Sequence, residues 1–428
     1  MKVLMFGWEF PPHISGGLGT ACYGLTRGLS ELDNVEVTFV VPKAFGDEDQ
    51  SGLTLIGANH VPISKRNFQF EEDGGKMDYF EVDSLIVPYM NEEEFWKIKS
   101  KKLPRNTRFV ETDDGSRIEF SGTYGGNLIQ EIKNYALVAG IIAGQTDFDL
   151  IHAHDWLAYP AGIAAKQVSG KPLIVHVHAT DFDRSGGSVN PTVYAIERDG
   201  MEMADKIITV SNLTRDTVIG KYNIDPKKVV TVYNAVEPIQ EEAADLPVKG
   251  VGEKIVTFLG RITMQKGPEY FIEAAKLVLR KMKNVRFVMA GSGDMQDAMI
   301  SRVAELGIAD RFHFTGFLKG SDISHLFRMT DVFVMPSVSE PFGIVPLEAM
   351  QFNVPVIISH QSGVSEVLEN AIKIDFWDTY AMADSIYGIL NYPSLSEHFK
   401  QEGKTEVGGL RWINSARNVK KVYKTVLT

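Results

Sequence analysis

The chain has 428 residues, of which 44% are hydrophobic and 23% charged, and its formal net charge is −11. That length exceeds one ordinary core and points to two domains, and the acidic balance, with no run of Lys or Arg, argues against nucleic acid as the main partner. The single cysteine, Cys22, allows no intramolecular disulfide and suits a reducing compartment.

The start, "MKVLMFGWEFPP", holds an apolar run too short for a secretory signal. No stretch approaches the roughly 18–20 apolar residues a membrane span needs. A soluble cytoplasmic protein is expected.

In chain order, "KVLMF" (2–6), "VEVTFVV" (35–41), "DLIHAH" (149–154), "PLIVHVH" (172–178), "KIITVS" (206–211) and "VVTVYN" (229–234) read as buried strands. These runs are nearly continuous rather than alternating, as a parallel sheet covered on both faces requires. Leu18, Cys22, Leu25, Leu29 and Leu32 recur at helical spacing between the first two. Residues 43–130 break the rhythm; they are polar, acidic at "NEEEF" (91–95), carry the turn signal "TDDGSR", and read as an insertion of hairpins or loops.

The pattern restarts with "IVTFL" (255–259), "VRFVMA" (285–290), "RFHFTG" (311–316), "DVFVMP" (331–336) and "VPVIIS" (354–359). Residues 268–282 form a helix that Pro268 opens, where a missing N–H costs nothing. The polar stretch 237–253, with two prolines and two glycines, marks the boundary. The expected fold is α/β: two doubly wound, Rossmann-like domains, residues 1–240 and 241–405, facing across a cleft. Residues 406–428 form a closing amphipathic helix with Trp412, Ala416, Val419 and Val422 on one stripe, packing back on the first domain. Ligands of such folds bind at the carboxyl ends of the strands.

Four segments lie at those ends. "SEPFGIVPLEAM" (339–350) places Glu340 on a loop and Glu348 in the first turn of the helix that follows, with Gly343 and Ile344 between them. Carboxylates accept strongly from sugar and ribose hydroxyls, and a helix start offers free N–H groups to an anion. The plainer reading is a helix-start charge and a solvated loop residue. "LGRITMQKG" (259–267) sets Arg261 and Lys266 on one short loop, a fork and a point cation suited to two phosphates, although such cations are common at strand ends. "FPPHISGGLGT" (10–20) puts Gly16 and Gly17 before a helix, where a ligand can approach the backbone closely. It is displaced too far from its strand for a dinucleotide fingerprint. "IHAHDW" (151–156) brings His154, Asp155 and Trp156 to a strand end. His152 with His154, and His176 with His178, together with Asp155, Asp181 and Asp183, form a possible metal set; buried structural roles for His152 and His176 are the alternative.

Taken together and in this order, these segments resemble the retaining glycosyltransferases of the GT-B fold, family four, and its glycogen and starch synthase relatives. The resemblance runs over nearly the whole chain. It implies that Arg261 and Lys266 bind the diphosphate of a nucleotide sugar, UDP- or ADP-glucose. It implies that Glu348 holds the ribose, and that Glu340 holds the transferred hexose with the backbone of Phe342, Gly343 and Ile344. Gly16 and Gly17 would offer backbone to the phosphate, His154 would touch the sugar, and Gly291 in "GSGD" would lie near the base. Asp155 and Trp156 would lie on the acceptor side. The acceptor implied is the non-reducing end of an α-1,4-glucan, with another carbohydrate as the alternative. No metal or cofactor is implied. Ile14 stands where the synthases carry lysine, and Phe342 where they carry cysteine. Two other classes remain: a metal-dependent hydrolase built on the His-x-His pairs, and a glycan-binding protein without catalysis.

Overall fold

A computed structural model describes residues 1–14, 16–63, 109–112, 115–239 and 252–427. The acidic segment 91–95, most of the region 43–130 and most of the boundary stretch 237–253 lie outside the described residues.

Two parallel sheets organise the chain. The first is built from β1 (Lys2–Phe6), β2 (Glu36–Val41), β3 (Thr54–Gly57), β6 (Leu150–His154), β7 (Leu173–Val177), β8 (Lys206–Thr209) and β9 (Val229–Thr231), in the order β3-β2-β1-β6-β7-β8-β9. Every pairing in it is parallel. A separate antiparallel hairpin joins β4 (Phe109–Thr112) to β5 (Gly115–Ile118). The second sheet uses β10 (Lys254–Leu259), β11 (Val285–Ala290), β12 (Phe312–Gly316), β13 (Val332–Met335), β14 (Val356–Ser359) and β15 (Ile372–Ile374). Its order is β12-β11-β10-β13-β14-β15, again all parallel.

In both sheets the strand order reverses beside the first strand, at β1/β6 and at β10/β13. A crevice opens at such a reversal because the flanking crossovers leave in opposite directions. The loops after β10 and β13 carry Arg261, Lys266 and Glu340 to one of these crevices.

Two expectations are corrected. Residues 54–57 are not inserted: β3 pairs with β2, Thr38 opposite Thr54, and extends the main sheet. The short edge strand β15 was not anticipated. The helix Leu128–Gln145 likewise begins inside the stretch read as insertion.

The last helix, Trp412–Leu427, buries Trp412, Ala416, Val419, Val422 and Tyr423 in the core of the first sheet. It packs on the helix Gly17–Ser30, where Gly24 makes room: a Cβ there would stand 2.2 Å from the Trp412 ring. The Tyr423 hydroxyl meets His152 Nδ1 at 2.7 Å.

Candidate functional site

The loop after β10 and the loop after β13 are tied together. Lys266 Nζ forms an ion pair with Glu340 Oε2, which also accepts from the Ser337 hydroxyl at 3.2 Å. Gln265, 5% exposed, is the strut between them. Its Oε1 accepts from Arg261 Nη2 at 3.2 Å, its Nε2 donates to the Ser339 carbonyl at 3.1 Å, and its own carbonyl accepts the Val338 N–H at 2.9 Å. The Glu340 backbone is fixed from the far side: its N–H donates to Gln361 O at 2.9 Å and its carbonyl accepts from Gly363 N at 2.8 Å. Arg261, Lys266 and Glu340 therefore form one assembly although 79 positions separate Arg261 from Glu340 (340 − 261).

Phe342 is buried at 3% exposure, so only its backbone is available. Ile344 and Glu348 face a cavity of about 290 Å³ whose walls come from both halves, with Thr20 of the first helix opposite. Glu348 is half-buried, and burial pushes its carboxyl up to about 7. Thr20 lies one turn into the helix that Gly16 caps and Gly17 begins, and the space beside Gly17 is open: a Cβ there would meet nothing within 4 Å.

Gly291 packs against the start of the Arg261 loop. It is buried, its N–H donates to Gly316 O at 2.8 Å, and a Cβ there would lie 1.9 Å from Gly260 O. It braces the Arg261 loop from behind and presents no donor to a ligand.

The "IHAHDW" residues lie inside the first half. His154, Asp155 and Trp156 are 0%, 2% and 1% exposed, so none stands open to a sugar or an acceptor in this conformation. Strands of a sheet covered on both faces bury successive side chains alike. His178, half-buried, is the member of the histidine group nearest the surface, and its Nε2 lies 3.0 Å from His154 Nδ1. Burial holds His178 down at about 3 and His152, His154 and His176 well below 6.5, so all four are neutral near pH 7.

The histidines of the metal set converge but its carboxylates do not: ring nitrogens of His152, His154 and His176, all buried, lie within 4.8 Å of one another, as do the ligand atoms of Cys22, His154 and His178. The rings of His152 and His176 lie 6° from parallel, with centroids 5.4 Å apart. The carboxylates are engaged elsewhere: Asp155 with Arg184 Nη2 at 2.7 Å, Asp181 with Asn190 N at 2.6 Å, and Asp183 with Thr180. Arg184 also reaches Glu197 at 3.2 Å, where burial raises the carboxyl to about 8.

Further contacts span the halves. The Glu366 carboxylate accepts from the Asn212 and Leu213 N–H groups, both at 2.8 Å, and from the Tyr233 hydroxyl at 3.0 Å. The Ser339 hydroxyl donates to Asp183 at 2.6 Å. Gln265, Ser337, Ser339, Asp183 and His178 were not singled out from the sequence as parts of a donor site. Gln265, inside the Arg261–Lys266 loop, and Ser339, next to Glu340, are the two that lie within the four strand-end segments read from the sequence.

Two parallel-sheet domains, with a cation-and-carboxylate assembly at a strand-order reversal, define the two-domain architecture of GT-B glycosyltransferases. The chain belongs to the family 4 glycosyltransferases: residues 114–240 match the model described as Glycosyltransferase Family 4, and residues 240–406 that of Glycosyl transferases group 1. An uncharacterized glycosyltransferase of Methanocaldococcus jannaschii is 29% identical, with 100% of this chain and 99% of that protein aligned. A glycogen synthase of Mycobacterium tuberculosis is 24% identical over 93% of this chain and 88% of its own. Among solved structures, the Anabaena protein HepE in complex with UDP-glucose superposes with a TM-score of 0.65 at 14% identity, over 99% of this chain and 100% of that one. No helix among the described residues is long and apolar enough to cross a membrane.

Proposed function

We propose that this protein is a retaining hexosyltransferase that moves glucose from a nucleotide sugar, UDP- or ADP-glucose, to the non-reducing end of an α-1,4-glucan. The observation that carries the reading is the assembly at the β10/β13 reversal. Two cations and one carboxylate are held there as a unit, and the helix that follows carries the second carboxylate, Glu348, to the wall of a cavity. The glycogen synthase relative supports the glucan acceptor, and the UDP-glucose held by HepE supports a uridine donor.

In this reading the diphosphate lies against Arg261 and Lys266, and its charge draws Lys266 partly away from Glu340. Glu340 then accepts from the hydroxyls of the transferred glucose, while Glu348 accepts from the ribose. The acceptor oxygen forms its bond to the anomeric carbon on the face from which the diphosphate departs. The departing phosphate oxygen takes the acceptor's proton, so configuration is retained. Arg261, Lys266 and the N–H groups before the helix Val345–Gln351 stabilise the leaving charge; one well-placed donor in such a site contributes about 3–4 kcal/mol. Neutralisation by side chains and backbone makes a metal unnecessary in this scheme. The lone Cys22, which suits a reducing compartment, supports a cytoplasmic reaction in this reading.

The deciding experiment screens a panel of nucleotide sugars for thermal stabilisation, then for turnover on glucan primers. Stabilisation by UDP- or ADP-glucose with primer elongation is expected. Stabilisation without elongation would redirect the acceptor, and neither would remove the donor reading.

A further inference from the structure

The short helix Asp181–Ser185 of the first half rests against the loops that carry Lys266 and Glu340. Thr180 and Asp183 cap it reciprocally: Asp183 Oδ2 accepts from the Thr180 N–H at 2.7 Å and from its hydroxyl at 2.8 Å. The other oxygen, Oδ1, is turned toward the second half and accepts the Ser339 hydroxyl at 2.6 Å. Ser339 immediately precedes Glu340, and its carbonyl is held from within the second half by Gln265 Nε2 at 3.1 Å. Asp183 and Gln265 are 7% and 5% exposed, so water does not readily replace either partner.

We propose that Asp183 is a positioning residue for glycosyl transfer: by accepting the Ser339 hydroxyl, it makes the placement of Glu340 depend on contact between the two halves. This rests on the reading of Glu340 as the carboxylate that faces the transferred sugar. Gln265 and Gln361 hold the 337–340 segment whether the halves meet or part, because both belong to the second half. The Asp183 bond exists only when they meet. A hydrogen bond to a carboxylate is shorter and roughly twice as strong as a neutral one. It therefore fixes the residue next to Glu340 most firmly in the closed arrangement, the one in which donor and acceptor are brought together. The first domain thus contributes to donor-site geometry without touching the donor.

The test compares Ser339→Ala, which leaves the Thr180–Asp183 cap intact, with Ser339→Thr, which keeps a hydroxyl. Ser339→Ala is expected to lower kcat about tenfold, with donor KM and UDP Kd changed less than about twofold. Its Tm stays within about two degrees of the wild type, and Ser339→Thr recovers most of the rate. Asp183→Asn combined with Ser339→Ala should be no slower than the slower single variant, because both remove one bond. Additive losses, or Ser339→Ala at the wild-type kcat, overturn the proposal. A wild type that turns over no nucleotide sugar defeats the donor reading instead. The contact is then judged by small-angle scattering of the free protein: Ser339→Ala must give a larger radius of gyration, and identical curves overturn the proposal.

Discussion

Lys266 and Glu340 form an ion pair that joins the loop after β10 to the loop after β13, with side chains 20% and 10% exposed. The donor site is therefore not a set of independent contacts. In the free protein the cation expected to meet phosphate neutralises the carboxylate expected to meet sugar.

That pairing sets the first prediction. Lys266→Ala and Arg261→Ala should each lower kcat/KM at least about a hundredfold, roughly 2.7 kcal/mol of lost transition-state stabilisation. Stability should separate them. Removing Lys266 leaves a buried carboxylate unpaired, which is strongly destabilising, so Lys266→Ala also lowers Tm by several degrees. Lys266→Ala combined with Glu340→Gln should regain most of that Tm while remaining inactive. Near-normal turnover in both cation variants would end the phosphate assignment.

Metal removal gives the second. Turnover should survive EDTA, because in the proposed scheme side chains and backbone dipoles neutralise the leaving diphosphate. Activity lost to chelator and restored by Zn²⁺ or Mn²⁺ would return the histidine group to consideration.

The third concerns the closing helix. Gly24→Ala would push a methyl into the Trp412 ring, 2.2 Å from the built Cβ. Overpacking of this kind costs about 1–3 kcal/mol. A Tm lower by several degrees and faster hydrogen exchange over residues 412–427 are expected. An unchanged exchange pattern would mean that the two helices are not in firm contact.

The core strands were legible because a parallel sheet covered on both faces writes itself as continuous apolar runs. β3 and β15 were not: "TLIG" and "IKI" are edges of four and three residues, too short to stand out as runs. The same double coverage hid the fate of His154 and Trp156. A strand-end position suggests exposure, while burial depends on what packs above it. The charged residues of the donor assembly could be read from their order along the chain. Its struts could not: the Gln265–Ser339 and Asp183–Ser339 bonds span 74 and 156 residues, and local sequence carries no mark of either.

The fourth prediction separates the two glutamates kinetically. Glu348 lies in the cavity expected to hold ribose, far from the reacting bond. Its interaction is then similar in ground and transition states, and Glu348→Gln should mainly raise KM. Glu340 lies by the transferred sugar, where positive charge grows as the bond to phosphate breaks, so Glu340→Gln should mainly lower kcat. Steady-state kinetics with the true donor checks both. The reverse pattern would exchange their assignments, and no change in either would reduce the spacing to a helix start.

The last concerns pH. Burial raises Glu348 from 4.5 to about 7 in the free protein. A carboxyl with a raised folded-state value contributes stability that is full below about 4.5 and lost as pH rises through about 7. Ligand binding acts in the opposite sense. Ribose hydroxyls donate to the ionised form, so a bound nucleotide favours loss of the proton. Affinity for UDP should therefore strengthen as pH rises toward about 7, by at most about tenfold per pH unit, and level off above it. Glu348→Gln cannot titrate and should flatten this profile while weakening binding at neutral pH. Calorimetric Kd values from pH 5.5 to 8 make the comparison. A wild-type profile as flat as that of the variant would show that Glu348 exchanges no proton on binding, and would remove it from the ribose site.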